Sequence, residues 1–103
     1  APEGQQKCQK DGSEWACGRD ATQALRRLIK GREVVCKGNE FDRYQRLLGY
    51  CSAGSVDLNK SMVAEGWALS FGGEFLAEER IASQRKKGLW AGEFQRPQDW
   101  RRD

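Results

Sequence analysis

Four cysteines in a chain of 103 residues constrain its fold more than any other feature. Leu, Ile, Val and Phe together make up 18 of the 103 residues, a low apolar content for a hydrophobic core. A domain of this size buries only about two thirds of the surface that its unfolded chain exposes. Disulfides commonly support cores this small. The sequence therefore predicts one small domain over residues 1–103, stabilised by cross-links.

The cysteine spacing favours disulfides over a metal site. Between Cys8, Cys17, Cys36 and Cys51 stand eight, 18 and 14 residues, which fits neither a paired C-x-x-C zinc site nor a thioredoxin-type motif. Of the three possible connectivities we favour Cys8–Cys17 with Cys36–Cys51, because the second pair lies on two strand-like runs joined by a short connection. The alternative is four reduced cysteines in a cytosolic protein. Disulfides favour a secreted or periplasmic protein.

The composition excludes several kinds of chemistry. The chain has no His, which removes His-ligated zinc sites and Ser/His or Cys/His catalysis. Acid–base chemistry then depends on carboxylates or Tyr. The net charge of +3 is compatible with a phosphate-bearing partner. No apolar run approaches the ~20 residues of a membrane span, so no membrane partner is predicted.

Residue patterns predict an α+β fold. Apolar spacing and capping residues predict helices over residues 19–30, 58–65 and 74–87. Two β-prone runs, residues 33–37 and 46–52, are predicted to pair as a hairpin. Residues 1–15 lack a period and are predicted to form a loop held by two of the cysteines. The aromatic tail, residues 89–103, is predicted to fold over the body.

Six short segments follow one another along the chain: Ala1-Pro2-Glu3, Cys17-Gly18, Asp42-Arg43-Tyr44-Gln45-Arg46-Leu47-Leu48, Asn59 with Met62-Val63, Gly66-Trp67-Ala68, and Lys87-Gly88-Leu89-Trp90. Each is weak alone, but the ordered set resembles the staphylococcal nuclease family over essentially the whole chain. The closing Pro97-Gln98-Asp99-Trp100-Arg101 is similar to the tail of exported bacterial members. The resemblance implies a five-stranded OB-type barrel with three α-helices, and calcium-dependent cleavage of DNA and RNA.

The resemblance also implies roles for individual residues. Glu3 matches the glutamate that positions or deprotonates the attacking water, and Arg46 matches the arginine that binds the scissile phosphate. Arg43 and Tyr44 match positions that flank the phosphates of the nucleotide. Ala1 occupies the place whose backbone carbonyl is a calcium ligand. Attack of water on a phosphodiester needs such a base and such fixed positive charge.

Two departures from the family pattern bear on activity. Gln45 stands where the family has Gly, so the turn that aims Arg46 is expected to differ. The aspartate that precedes Ala1 in the family, and upstream strands with a second calcium-binding aspartate and a second phosphate-binding arginine, have no counterpart here. Ca²⁺ takes six to eight oxygen ligands. We therefore expect an OB-type barrel incomplete at its N-terminus that binds no Ca²⁺ and is inactive alone.

Two functions follow as hypotheses. The first is a nuclease whose complete domain binds single-stranded DNA or RNA. The second is a non-catalytic module with a binding role, or a role in envelope or exopolysaccharide (succinoglycan-type) production, which Gln45 and the modest basicity favour. An exposed edge of the predicted hairpin would also let a second copy pair with it and form a homodimer.

Overall fold

The computed structural model describes residues 1–41, 47–70 and 73–102. Both helices and strands are present, which confirms the α+β class. In chain order the elements are β1 (Cys8–Lys10), β2 (Ser13–Trp15), α1 (Cys17–Ile29), β3 (Val34–Phe41), β4 (Leu47–Ala53), β5 (Val56–Asp57), α2 (Leu58–Ala64), α3 (Leu76–Gln84), a 3-10 helix (Gly88–Ala91) and α4 (Pro97–Arg102).

Helix α1 confirms the first predicted helix and begins two residues earlier. It buries Cys17, Gly18, Ala21 and Ala24 on one face. Lys30 ends the helix in the left-handed region, at φ 33°, with its backbone N–H donating to the carbonyl of Arg26. The small buried residues allow close packing of α1 against the segments it covers.

The prediction of a loop over residues 1–15 is wrong for residues 8–15. Strands β1 and β2 form an antiparallel hairpin in which Cys8 faces Trp15. Asp11 and Gly12, at φ 52° and 78°, supply the two left-handed residues that a tight two-residue hairpin turn requires. Each strand has three residues, and most of these are exposed. They therefore show no alternating apolar pattern from which a strand could be predicted.

The second sheet has the strand order β3-β4-β5 and confirms the predicted hairpin. Cys36 lies directly opposite Cys51, and the register shifts by one residue between Lys37 and Glu40, which is a β-bulge. Strand β3 is longer than predicted and forms one edge of this sheet. Pairing of a second copy along that edge stays a prediction.

Helix α2 packs against β4, α1 and α3 and confirms the second predicted helix. Asp57 caps it, since its Oδ1 accepts a hydrogen bond from the backbone N–H of Lys60 at 3.0 Å. Leu58, Met62 and Val63 are buried. The helix therefore forms the centre of the packing between the second sheet and the other helices.

Helix α3 is present but shorter than predicted. Phe75, in the left-handed region at φ 61°, precedes its first residue, and Arg85 follows its last. Ala82 is fully buried, but Ile81 is 48% exposed, so the helix contacts the core through Ala82 and not through Ile81. The tail folds over the body as predicted, with Leu89 1% exposed, but its 3-10 helix and α4 were not predicted.

One buried cluster joins β1, α1 and the 3-10 helix: it consists of Cys8, Cys17 and Leu89, with Trp15, Trp67 and Phe94 packed around it. Two of the family-like segments meet beside it: the backbone N–H of Leu89 donates to the carbonyl of Gly66 at 2.9 Å. A Cβ at Gly66 would overlap the carbonyl of Lys87, so this crossing requires glycine. Within the described ranges, no helix has the length and apolar character to span a bilayer.

Candidate functional site

The segment that carries Glu3 is a turn closed by two hydrogen bonds. The backbone N–H of Gln6 donates to the carbonyl of Glu3 at 2.9 Å. The backbone N–H of Glu3 donates to Oε1 of Gln6 at 3.2 Å. Glu3 is half-buried and Gln6 is only 1% exposed. The backbone of Glu3 is therefore fixed from both its N–H and its C=O.

Helix α1 supports this turn through its second residue. The backbone N–H of Gly18 donates to the carbonyl of Gln6 at 3.0 Å. A Cβ built at Gly18 would overlap the carbonyl oxygen of Glu3. The Cys17-Gly18 segment thus has a direct structural role, because only glycine lets the first turn of α1 approach the backbone of Glu3 so closely.

The chain after the 3-10 helix crosses the same region; we call residues 92–95 the C-terminal strap. Gln9 and Glu93 form a β-bridge with two backbone hydrogen bonds, of 2.8 and 2.7 Å. The side-chain Nε2 of Gln6 donates to the carbonyl of Gln95 at 2.7 Å. Phe94 packs edge-to-face on Trp90, with the ring centroids 5.1 Å apart. The strap thus binds both the Glu3 turn and β1.

Arg43, Tyr44 and Arg46 lie outside the described residues, as does Gln45. In the sequence they connect β3 to β4. Their proximity to Glu3 stays a prediction.

Strand β4, which follows Arg46 in the sequence, is held firmly to α2. The backbone N–H of Cys51 donates to Oδ1 of Asn59 at 2.8 Å, and Nδ2 of Asn59 donates to the carbonyl of Gly49 at 2.9 Å. The amide of Asn59 therefore pairs with the strand as a neighbouring backbone would. This gives the family-like residue Asn59 a structural role that the sequence alone did not reveal.

Both favoured disulfides are confirmed, and they differ in their surroundings. Cys8–Cys17 lies in the core, with its residues 3% and 0% exposed. Cys36–Cys51 bridges β3 and β4 at the surface, where Cys36 is exposed and Cys51 half-buried. One disulfide joins β1 to α1 on the Glu3 side of the molecule, and the other joins β3 to β4.

The described residues do not provide a calcium site by themselves. Among them, no three His, Cys, Asp or Glu side chains cluster in a way that would hold a metal ion. The carboxylate of Glu3 and the carbonyl of Ala1 are too few donors for a cation that takes six to eight oxygens. A calcium site at Glu3 would need ligands from outside the described part of the chain, and no chemical step below depends on one.

Helix α1 presents an exposed basic surface, which we call the α1 basic face. Gln23, Arg26, Arg27 and Lys30 are exposed and follow the spacing of one helix face. Asp20 is the one acidic residue of this helix, and its carboxylate lies 3.7 Å from the guanidinium of Arg19. The face is suited to the phosphates of a nucleic acid backbone.

A shallow depression of about 290 Å³ lies on the second sheet. Its lining includes Val35, Lys37, Tyr50 and Asp57 but not Glu3. Lys37 and Tyr50 face each other across the β3–β4 pair, and the hydroxyl of Tyr50 donates to Oε1 of Glu74 at 2.6 Å. The depression is therefore separate from the Glu3 turn.

Residues 1–92 match the family model described as Staphylococcal nuclease homologue. The chain belongs to the staphylococcal nuclease family. Three curated rice proteins (Oryza sativa subsp. japonica) agree: "Probable staphylococcal-like nuclease CAN3", CAN1 and CAN2 are 34%, 30% and 33% identical to it over alignments of 92 residues, which cover 84% of the chain. The matched segment spans 24%, 28% and 25% of these relatives.

Membership of the staphylococcal nuclease family confirms the resemblance and accounts for the fold. The helices α1, α2 and α3 and the two small antiparallel sheets are consistent with an incomplete OB-type α+β fold. Residues 1–92 form a nuclease-like domain. The C-terminal strap lies partly beyond the family match, because Glu93, Phe94 and Gln95 follow residue 92.

Sequence reasoning missed Gln6 and the function of Gly18. Gln6 is the buried polar residue among the described residues, yet it stands in a polar segment where no pattern distinguishes it from Gln5 or Gln9. Its partner Gln95 follows 89 residues later. Only the folded chain reveals this contact.

Proposed function

We propose that this nuclease-like domain hydrolyses phosphodiester bonds of single-stranded DNA or RNA, with Glu3 and Arg46 as its catalytic residues. The observation that carries the proposal is the match of residues 1–92 to the staphylococcal nuclease family, in which the Ala1-Pro2-Glu3 and Asp42-to-Arg46 segments hold the residues suited to this chemistry. The backbone of Glu3 is anchored on both sides, as catalysis by a positioned base requires.

In the proposed reaction the carboxylate of Glu3 accepts a proton from water while the water oxygen forms a bond to phosphorus. One P–O ester bond breaks, and the leaving oxygen takes a proton from solvent. Arg46 stabilises the negative charge that develops on the phosphoryl oxygens. Arg43 and Tyr44 bind the neighbouring phosphates, and the α1 basic face contacts the strand beyond them.

The proposal includes dependence on Ca²⁺, with ligands additional to Glu3 and the carbonyl of Ala1 supplied from outside the described residues. We further propose that the 103 residues alone are inactive, because the additional calcium-binding aspartates of the family have no counterpart in this sequence. The two disulfides support a secreted or periplasmic location.

The test is hydrolysis of a fluorescent single-stranded DNA by the full-length protein, in Ca²⁺ and in EDTA. We expect Glu3→Gln and Arg46→Ala to lower kcat by about 100-fold or more. The control variants Glu14→Gln and Arg80→Ala change exposed residues of β2 and α3 and should leave turnover unchanged. Wild-type turnover in Glu3→Gln or in Arg46→Ala would contradict the proposal.

The second candidate function is a non-catalytic module for a protein or glycan partner, as in envelope or exopolysaccharide production. Gln45 in place of the glycine of the family supports it. Specific binding of such a partner, with no phosphodiester turnover in the full-length protein, would favour this candidate over the nuclease.

A further inference from the structure

The side chain of Gln6 joins the Glu3 turn to the C-terminal strap. Its Oε1 accepts from the backbone N–H of Glu3 at 3.2 Å, and its Nε2 donates to the carbonyl of Gln95 at 2.7 Å. The side chain thus uses its acceptor on one segment and its donor on the other. Gln offers both groups without a titratable proton, whereas Glu of the same length offers a donor only when it is protonated.

Burial makes this bridge costly to lose. Gln6 is 1% exposed, so water does not readily replace either hydrogen bond. Buried amides are kept where both groups are satisfied, because an unpaired buried polar group is strongly unfavourable. Nothing about the apolar core requires an amide at this position. The amide of Gln6 is explained instead by its hydrogen bond to the Glu3 turn, whose geometry it fixes.

The strap is itself held in place, so a hydrogen bond to it can fix the position of Gln6. Glu93 is bridged to Gln9 by two backbone hydrogen bonds, and Phe94 packs on Trp90. The carbonyl of Gln95 follows directly. Gln6 therefore couples the position of the strap to the backbone of Glu3. Its partner in the strap, Gln95, follows the family-matched residues 1–92.

We propose that Gln6 is a positioning residue for Glu3. Through Gln6, the C-terminal strap also helps to position Glu3 for catalysis. This inference rests on the proposed function. Gln6 contacts Glu3 through its backbone N–H, so it acts on the position of this residue and not on the reacting atoms. A displacement of about 1 Å at a catalytic group can lower the rate by about 100-fold.

The test is a double-mutant cycle on the hydrolysis of single-stranded DNA by the full-length protein. The variants are Gln6→Met, which keeps the length of the side chain but removes both hydrogen bonds, Glu3→Gln, and the two combined. We expect Gln6→Met to lower kcat by about 10- to 100-fold with KM within about twofold. In the Glu3→Gln background, Gln6→Met should cause no further loss, because Gln6 acts through Glu3.

Two further variants separate positioning from folding. Gln5→Met makes the same change at the neighbouring exposed residue and should leave kcat unchanged. Gln6→Asn keeps the amide but shortens it by one methylene, so it cannot span both partners; if Gln6→Met does not fold, Gln6→Asn is measured in its place. Folding is checked by circular dichroism before each assay.

The outcomes are distinct for the two proposals. Wild-type kcat in Glu3→Gln, or no turnover in the wild type, would overturn the proposed function and this inference with it. Two outcomes would overturn the positioning role alone, provided that Glu3→Gln lowers kcat. In the first, Gln6→Met leaves kcat unchanged. In the second, Gln6→Met lowers kcat by the same factor in the wild-type and Glu3→Gln backgrounds.

Discussion

Asn59 holds Cys51 in place through the backbone: Oδ1 of Asn59 accepts from the N–H of Cys51 at 2.8 Å, and its Nδ2 donates to the carbonyl of Gly49 at 2.9 Å. A helix residue thereby completes the hydrogen bonding of a strand. The contact sets β4 against α2, and β4 follows the segment that contains Arg46. The stability of this strand–helix contact therefore depends on one side chain.

We expect Asn59→Leu to lower the free energy of unfolding by about 1–3 kcal/mol, because it leaves two backbone groups of β4 without partners. Asn59→Asp retains the acceptor for Cys51 but loses the donor to Gly49, and should lie between wild type and Asn59→Leu. Urea denaturation measures both. Lys60→Ala, at an exposed position of α2, is the control. Equal midpoints for Asn59→Leu and Lys60→Ala would show that the pairing does not stabilise the fold.

Gly18→Ala should displace the Glu3 turn. The added methyl group would overlap the carbonyl of Glu3, and overpacking of this kind costs about 1–3 kcal/mol. Gly4→Ala is a matched control one residue from Glu3, where a Cβ meets nothing within 4 Å. Thermal unfolding should show a lower Tm for Gly18→Ala and little change for Gly4→Ala. The reverse order would mean that α1 does not support the turn.

The two disulfides should differ in their reduction by a dithiol such as dithiothreitol. Exchange requires access of a thiolate to sulfur, so the exposed Cys36–Cys51 should open faster than the buried Cys8–Cys17, on the order of tenfold or more. Alkylation followed by mass spectrometry of the peptides gives both rates. In denaturant the two rates should converge. Faster opening of Cys8–Cys17 in the native protein would contradict the finding that this disulfide is buried and Cys36–Cys51 is accessible.

Removal of the exposed disulfide should also reduce stability. Cys36 and Cys51 are 15 residues apart, and closure of a loop of this size contributes about 3 kcal/mol in the chain-entropy model. The double variant Cys36→Ser/Cys51→Ser should lose about that free energy of unfolding in urea. An unchanged midpoint in urea would show that the sheet alone holds the hairpin.

The α1 basic face should contribute to the binding of single-stranded DNA. Neutralising Arg26, Arg27 and Lys30 to Gln should weaken binding and flatten the slope of log K against log salt by about 2, since each phosphate contact contributes about 0.7. Fluorescence anisotropy across a salt series measures the slope. The control triple variant changes Arg85, Lys86 and Lys87, which follow α3 and its two first-turn glutamates. Equal effects of the two triple variants would indicate a response to net charge rather than to this face.

The sequence predicted those parts of the structure that depend on local patterns. Helix α1 and helix α2 were found from apolar spacing and from Asp57 as a cap, and the β3–β4 hairpin from its β-prone runs. Strands β1 and β2 were missed, because they are too short and too exposed to show an alternating apolar pattern. Helix α3 began later than predicted because Phe75 adopts a left-handed conformation that no propensity indicates.

In the candidate site, too, some features could be predicted from the sequence and others could not. The family resemblance singles out Glu3, whose catalytic role stays a prediction; the structure shows what fixes its backbone. Gln6 was not found, because its burial results from contacts between residues far apart in the sequence, and such contacts leave no local pattern. For Arg43, Tyr44 and Arg46 the roles stay predictions.

The hydrogen bond from Gln6 to Gln95 spans 89 residues of sequence, and this has a consequence for biosynthesis. A ribosome adds residues in order, so a growing chain cannot form this bond until Gln95 has left the exit tunnel. The turn around Glu3 is synthesised earlier than Gln95 and lacks this hydrogen bond until Gln95 has followed. If the positioning role holds, the nascent protein acquires an ordered Glu3 only after the rest of the domain has been made.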